Sequence, residues 1–358
     1  MPMSIDLRSD TITLPDDQMR AVMREAETGD DCYGEDPSVS CLEQYCADLF
    51  GKEEALFIST GTLSNQIAIR CHTRPGDEVI LDASYHIYFF ESAQTADLAR
   101  VTLNPCFTED GIITEAHIEG AINLKPRSAA YAVPKLVCTE NTINARGGRI
   151  FPVERLRSLY FFAKERDLSV HLDGARIMNA CVATGVPPRA YAAYTDSLSM
   201  CFAKGLGAPF GSILVGDSSF IRDARKYRKW YGGALHQSGV LAAAALYALQ
   251  NNVSRLAEDH ANARLLAELL AELPGIEANP DEVETNMVMA DISTLGLSSV
   301  EFCEEASKDG VLLFPWTPEI VRATTHLGIE ERDVRDVVRR LRHAVSRLSG
   351  RKTAHVSP

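Results

Sequence analysis

Ser197-Leu-Ser-Met-Cys-Phe-Ala-Lys204-Gly-Leu-Gly-Ala-Pro-Phe-Gly211-Ser-Ile-Leu-Val215 is the stretch that decides the fold. A β-rich run, Ser197–Phe202, ends just before a lysine set in a glycine-rich turn. A second apolar run, Gly211–Val215, follows that turn. Working outward, further β-rich runs lie at Ala55–Ser59, Glu78–Asp82, Lys135–Thr139 and Ser169–Asp173, with helical stretches such as Ser64–Cys71 and Val153–Arg166 between most of them. Strands that alternate with helices imply crossover units and a mostly parallel sheet with covered faces. In such an α/β sheet, functional groups collect at the carboxyl ends of the strands.

The pattern changes after about residue 250. A long helix over Arg255–Leu273 is followed by a strand near Asn286–Asp291, a helix Ser299–Asp309, and strands Val311–Phe314 and Ile320–Thr324. A closing helix, Glu331–Leu348, places Val334, Val337, Val338, Leu341 and Val345 on one face. The expected organisation is a large α/β domain over residues 1–250, a small α+β domain over 251–350 and a disordered tail over 351–358.

Composition narrows the class. The 358 residues are 46% hydrophobic and 24% charged, as in ordinary globular chains, and the formal net charge is −13. An acidic surface argues against nucleic-acid and membrane-surface partners, which select basic stripes. The best apolar run, Val240–Leu249, is far short of the ~20 residues that span a bilayer. Met1–Asp10 lacks the cationic and apolar regions of a signal peptide. Nine cysteines, none in C-x-x-C spacing, read as reduced thiols of a cytoplasmic protein rather than as disulfides or a metal site.

Three segments carry chemistry. Lys204, at the end of a strand and among glycines, reads either as an exposed loop lysine or as a Schiff-base lysine whose burial frees a neutral amine. Ser169-Val-His171-Leu-Asp173-Gly174-Ala175-Arg176 ends on a carboxylate at a strand's carboxyl end. Asp173 caps the following turn or holds a protonated ring nitrogen. Phe57-Ile-Ser59-Thr60-Gly61-Thr62-Leu63-Ser64-Asn65 runs from a strand through a Ser/Thr/Gly turn into a helix. Its start is an ordinary cap or an anion site for a phosphate. A phosphate cradle, a ring-nitrogen carboxylate and a Schiff-base lysine, on successive strand ends, together match pyridoxal 5'-phosphate. His86, in Ala83-Ser-Tyr85-His86, could stack on its ring.

These residues carry a family resemblance. The chain resembles the threonine aldolase branch of the fold-type I pyridoxal-phosphate enzymes, also labelled β-eliminating lyases. The opening Ile5-Asp-Leu-Arg8-Ser9-Asp10-Thr-Ile-Thr-Leu-Pro15, the segment Gly29-Asp-Asp-Cys-Tyr33-Gly34-Glu35-Asp36-Pro37, His171-Leu-Asp173-Gly-Ala-Arg176 and Lys204-Gly-Leu-Gly-Ala-Pro209 are similar to its motifs. The resemblance runs from about residue 5 to about 345. It implies an aspartate-aminotransferase-like large domain and a lyase that cleaves the Cα–Cβ bond of a β-hydroxy-α-amino acid to glycine and an aldehyde. A racemase or β-eliminating lyase is the alternative on the same scaffold, and a non-catalytic homologue is the alternative of another class. Lys204 would attach the cofactor, Asp173 bind its ring nitrogen, Gly61 and Thr62 its phosphate, and His86 its ring. Ser9, Arg176 and Arg322 would grip the substrate carboxylate, which a planar guanidinium fits bidentately. A homodimer or homotetramer with sites at the subunit interface is implied, with Tyr33 and His236 reaching a neighbour's site.

Three positions depart from the family's usual residues. Ile143 stands in Glu140-Asn-Thr-Ile143-Asn where the family commonly has histidine, His236 where it has arginine, and Ala203 where serine precedes the lysine. An isoleucine moves no proton, so Ile143 predicts slower threonine cleavage and a more apolar pocket.

Overall fold

Glu78-Val-Ile-Leu-Asp82 is buried at every position, and so are Ser197–Cys201 and Ser212–Gly216. Strands covered on both faces belong to the interior of a layered α/β unit, and that is what forms. The computed structural model describes residues 4–126, 128 and 130–354, the last six by backbone alone. Among these residues the strands are β1 (Ile5–Asp6), β2 (Glu54–Ile58), β3 (Glu78–Asp82), β4 (Thr102–Cys106), β5 (Pro134–Glu140), β6 (Ser169–Asp173), β7 (Ser197–Cys201), β8 (Ser212–Gly216), β9 (Met287–Asp291), β10 (Val311–Leu312), β11 (Phe314–Pro315) and β12 (Ile320–Thr324).

The chain divides into two compact units. The larger comprises Leu14–Arg146 and Ile150–Val253. Its seven-stranded sheet has the order β2-β8-β7-β6-β5-β3-β4. β4, β3, β5, β6 and β7 run parallel. β8 is antiparallel to both its neighbours, β2 and β7. The carboxyl ends of β2, β3, β5, β6 and β7 therefore share one edge, where the segments after Ile58, Asp82, Glu140, Asp173 and Cys201 emerge. β4 is not among the strands expected from sequence. Pro105 interrupts its pattern, and proline is accommodated because β4 is an edge strand that bonds only β3. The apolar run at Val240–Leu249 lies in the helix Gly239–Asn251. No helix of the described residues is long and apolar enough to cross a membrane.

The smaller unit holds the residues up to Thr13, Gly147–Arg149, and those from Ser254 onward. A three-stranded antiparallel sheet, β11-β12-β9, packs with helices Leu256–Leu270, Ser299–Ser307 and Glu331–Ala354. The five residues expected on one face of the closing helix are all buried in this unit's core, with Leu266, Phe302 and Val321. Two expectations change here. The first residues group with this unit rather than with the large domain, because β1 pairs in parallel with β10 and Leu7 enters the core. The closing helix runs on through Ala354, into the expected tail, whose residues 355–358 lie outside the described residues.

Candidate active site

The larger unit's sheet edge collects the expected residues. Beyond β2, Thr60 caps the helix Gly61–His72: its Oγ1 accepts the N–H of Leu63 at 3.1 Å and its carbonyl that of Ser64 at 3.1 Å. The N–H groups of Gly61 and Thr62 are left at the helix start for an anion. Glycine at 61 is a packing requirement. A Cβ there would fall 2.5 Å from Cys201 Sγ, so this turn lies against the end of β7. Ser64 Oγ bonds Ser212 Oγ at 3.0 Å, and Ser212 Oγ bonds the Met200 carbonyl at 2.8 Å, which fixes the helix to β7 and β8.

Asp173 ends β6 and is buried. Its Oδ1 accepts the N–H of Ala175 at 3.1 Å, the turn-capping role open to it from sequence. Its Oδ2 accepts Asn65 Nδ2 at 2.8 Å, a bond from the helix opposite. Lys204 lies in the turn after β7, the neighbour of β6. It is half-buried rather than fully buried, and among the described residues its Nζ makes no hydrogen bond or ion pair. The backbone turn closes beneath it, with Gly207 N–H on the Lys204 carbonyl at 2.8 Å.

His86 opens a short helix after β3. One of its nitrogens, one carboxylate oxygen of Glu91 and one of Asp173 lie within 4.8 Å of one another. Nδ1 is 2.8 Å from Glu91 Oε1, and the ring packs at a tilt on Phe90, centroids 4.9 Å apart. About a third of the imidazole, 34%, is exposed. Burial disfavours its charged form, but the Glu91 bond and the Asp173 and Glu140 charges outweigh burial and raise it above 6.5. Glu140, at the end of β5, is buried and accepts the backbone N–H of His86 and of Asn144. Burial and the Asp173 charge push its carboxyl up to about 7.

The other expected residues are placed differently. Arg176 is buried at the start of the helix Ile177–Thr184, three residues past Asp173. Ser9 and Arg322 belong to the smaller unit. Ser9 caps the turn Asp10–Ile12, and Arg322 Nη2 bonds the Arg8 carbonyl at 3.1 Å, its guanidinium lying against the neighbouring Phe314 and Trp316 rings. Tyr33 is 77% exposed, and His236 is exposed with Nδ1 3.0 Å from Asp30 Oδ2. Both lie on one surface, since Asp31 N–H bonds the His236 carbonyl. Ile143 does not line an open pocket. It is fully buried, and Gly111 packs so closely that a Cβ there would meet Ile143 Cγ2 at 3.0 Å.

Sequence reading missed Asn65, Glu91 and Glu140 as site residues. Each is a polar side chain on an unremarkable helix or strand end, given meaning by the partners that folding brings. Two buried supports were missed as well. Asp36 accepts the N–H groups of Gly29, Ser38, Val39 and Gly239. Arg228 pairs with buried Asp31 at 2.8 Å and bonds the Phe57 carbonyl at 2.7 Å, just before the Thr60–Gly61 turn.

The chain is similar to known proteins over most of its length. The Beta-eliminating lyase family model matches residues 6–293. The chain is 40% identical over 344 residues to the low specificity L-threonine aldolase of Escherichia coli strain K12, covering 96% of this chain and 100% of that one. It is 40% identical over 338 residues to a probable low-specificity L-threonine aldolase of Arabidopsis thaliana, covering 94% and 95%. The structure of a Leishmania major threonine aldolase has the same fold, with a TM-score of 0.81 at 23% identity over 95% of this chain and 99% of that one.

Proposed function

Since the chain belongs to the β-eliminating lyase family, we infer that it is a pyridoxal-phosphate-dependent carbon–carbon lyase that cleaves threonine-like β-hydroxy-α-amino acids to glycine and an aldehyde. One observation carries the reading. A carboxylate, an unpaired lysine amine and two uncommitted backbone N–H groups emerge along one sheet edge, and Cys201 against Gly61 draws two of these strand ends together.

The residues fit the cofactor. The amides of Gly61 and Thr62 would take its phosphate, Asp173 its ring nitrogen and Lys204 its aldehyde carbon. When bound, pyridoxal phosphate supplies an electron sink for the pair released as the Cα–Cβ bond breaks. Asp173 would offer that nitrogen a carboxylate held in place by the Asn65 amide and the Ala175 N–H. His86 commits Nδ1–H to Glu91, so its neutral ring keeps the Nε2 lone pair for the proton of the substrate's β-hydroxyl. We propose that Arg176, Arg322 and Ser9 hold the substrate carboxylate. We also propose a cytoplasmic location and a homodimer or homotetramer, the assembly supported by the exposed aromatic rings of Tyr33 and Trp230.

The test is incubation of the loaded protein with L-threonine and L-allo-threonine, with glycine and acetaldehyde measured together. Equal amounts of both products are expected. A 2-oxo acid with ammonia, or epimerisation without glycine, would overturn the reading in favour of β-elimination or racemisation.

A further inference from the structure

A line of polar side chains, buried except at half-buried His72, crosses the larger unit from its catalytic edge toward the opposite end of the sheet. His72 Nε2 lies 2.8 Å from Ser197 Oγ, and Ser197 Oγ lies 2.9 Å from His171 Nδ1. His171 Nε2 lies 3.2 Å from Asn65 Oδ1, and Asn65 Nδ2 bonds Asp173 Oδ2 at 2.8 Å and Glu91 Oε1 at 3.2 Å. Ser199 Oγ adds a second bond to Asn65 Oδ1 at 3.0 Å.

The direction of every bond follows from its end point. Two carboxylates can only accept, so the Asn65 amide nitrogen faces them and its oxygen faces His171 and Ser199. His171 must then donate from Nε2. Burial keeps that ring neutral, with its pKa lowered to about 3, so Nδ1 accepts the Ser197 hydroxyl proton. Ser197 Oγ in turn accepts Nε2–H of His72, a ring also kept neutral by burial, its pKa lowered to about 4. The charged groups facing His72 are Asp196, Lys164 and Asp217, and its other face stacks on Phe220 at 4.8 Å. All donors along the line therefore point toward Asn65, whose amide ends on Asp173 and, by the longer bond, on Glu91.

We propose that His72, Ser197 and His171 are positioning residues that act through Asn65 to stabilise the Asp173 carboxylate, and so hold the cofactor's ring-nitrogen proton on the ring rather than on Asp173. Hydrogen bonds in a chain polarise one another, and low dielectric strengthens the effect. The inference rests on the cofactor assignment made above.

The experiment uses full-length holoenzyme carrying pyridoxal phosphate labelled with 15N at the ring nitrogen. Ser197→Ala and His72→Phe cut the line, whereas Ser197→Thr and His72→Gln keep a hydroxyl or a donor. In the cut variants the ring-nitrogen resonance moves from the pyridinium value toward that of unprotonated pyridine, and kcat falls about fivefold with KM little changed, the size of one weakened hydrogen bond. The conservative variants restore both. Thermal unfolding is followed in parallel, because packing loss alone lowers stability without moving the resonance. An unmoved resonance in folded Ser197→Ala and His72→Phe holoenzyme overturns the proposal. A resonance that moves equally in the conservative variants also overturns it, by making the role packing. A wild-type protein in which the label shows no protonated ring nitrogen overturns the cofactor assignment itself.

Discussion

Glu91→Gln tests whether His86 is held in its working state by a buried carboxylate. Glu91 is 1% exposed and faces three donors: His86 Nδ1 at 2.8 Å, Gln66 Nε2 at 2.8 Å and Asn65 Nδ2 at 3.2 Å. A carboxylate satisfies all three because it only accepts. A glutamine of the same shape has one acceptor oxygen and turns an amide nitrogen toward at least one donor. An unmet buried donor costs about 1–3 kcal/mol, and the loss of charge assistance adds about 1, so the variant is destabilised by about 2–4 kcal/mol. The pH dependence has a definite sign. Burial opposes the charge on His86, but Glu91, Asp173 and Glu140 raise its folded pKa above 6.5. A raised folded pKa contributes stability that is complete below the ordinary value and is lost as pH rises through the raised one. Removing the Glu91 charge narrows that window. As a base at Nε2, His86 works when neutral, so the acidic limb of kcat/KM moves to lower pH in the variant. The assay is kcat/KM for L-threonine against pH, with thermal unfolding recorded at each pH. An unmoved acidic limb, together with an unchanged unfolding midpoint, would refute the coupling of His86 to Glu91.

Lys204→Ala removes the one amine placed at the end of β7, and borohydride reduction of the loaded wild type followed by peptide mass mapping should find the pyridoxyl group on Lys204. A label on another lysine would reassign the site. Ile143→His, which by sequence alone restores a proton-transfer group, is expected to lower stability by about 2–4 kcal/mol, because it exchanges a fully buried aliphatic chain for unmet ring nitrogens. Unfolding and kcat/KM measured together decide the point, and a gain in cleavage at unchanged stability would show that the side chain meets substrate after all. Arg228→Met leaves Asp31 buried without its cation and should cost about 3–5 kcal/mol in denaturant unfolding; near-native stability would mean that Asp31 finds another partner.

The class of the fold and the placement of the proposed cofactor residues at strand ends were legible in the linear chain. Apolar runs such as Glu78–Asp82 coincide with a strand to the residue, and the five closing-helix positions are all buried as their spacing requires. Lys204, Asp173, Gly61 and Thr62 were legible for a related reason. Each stands directly after a strand or at the start of a helix, and strand ends are where an α/β sheet places its chemistry. β4 escaped notice because an edge strand tolerates a proline that an interior strand would reject.

Asn65, Glu91 and the His72–Ser197–His171 line were not legible. Residues 65, 91, 171 and 197 meet only because helix Gly61–His72 lies beside β6 and β7, and no spacing within one segment records which strands become neighbours. The burial of Ile143 was not legible for the same reason, since it depends on Gly111, thirty-odd residues away, closing over it. The linear sequence determined the local states of this chain, because helix periodicity, strand runs and caps depend on residues a few positions apart. The tertiary structure alone decided which polar groups are buried together, because desolvation and hydrogen-bond geometry act between segments brought together by packing.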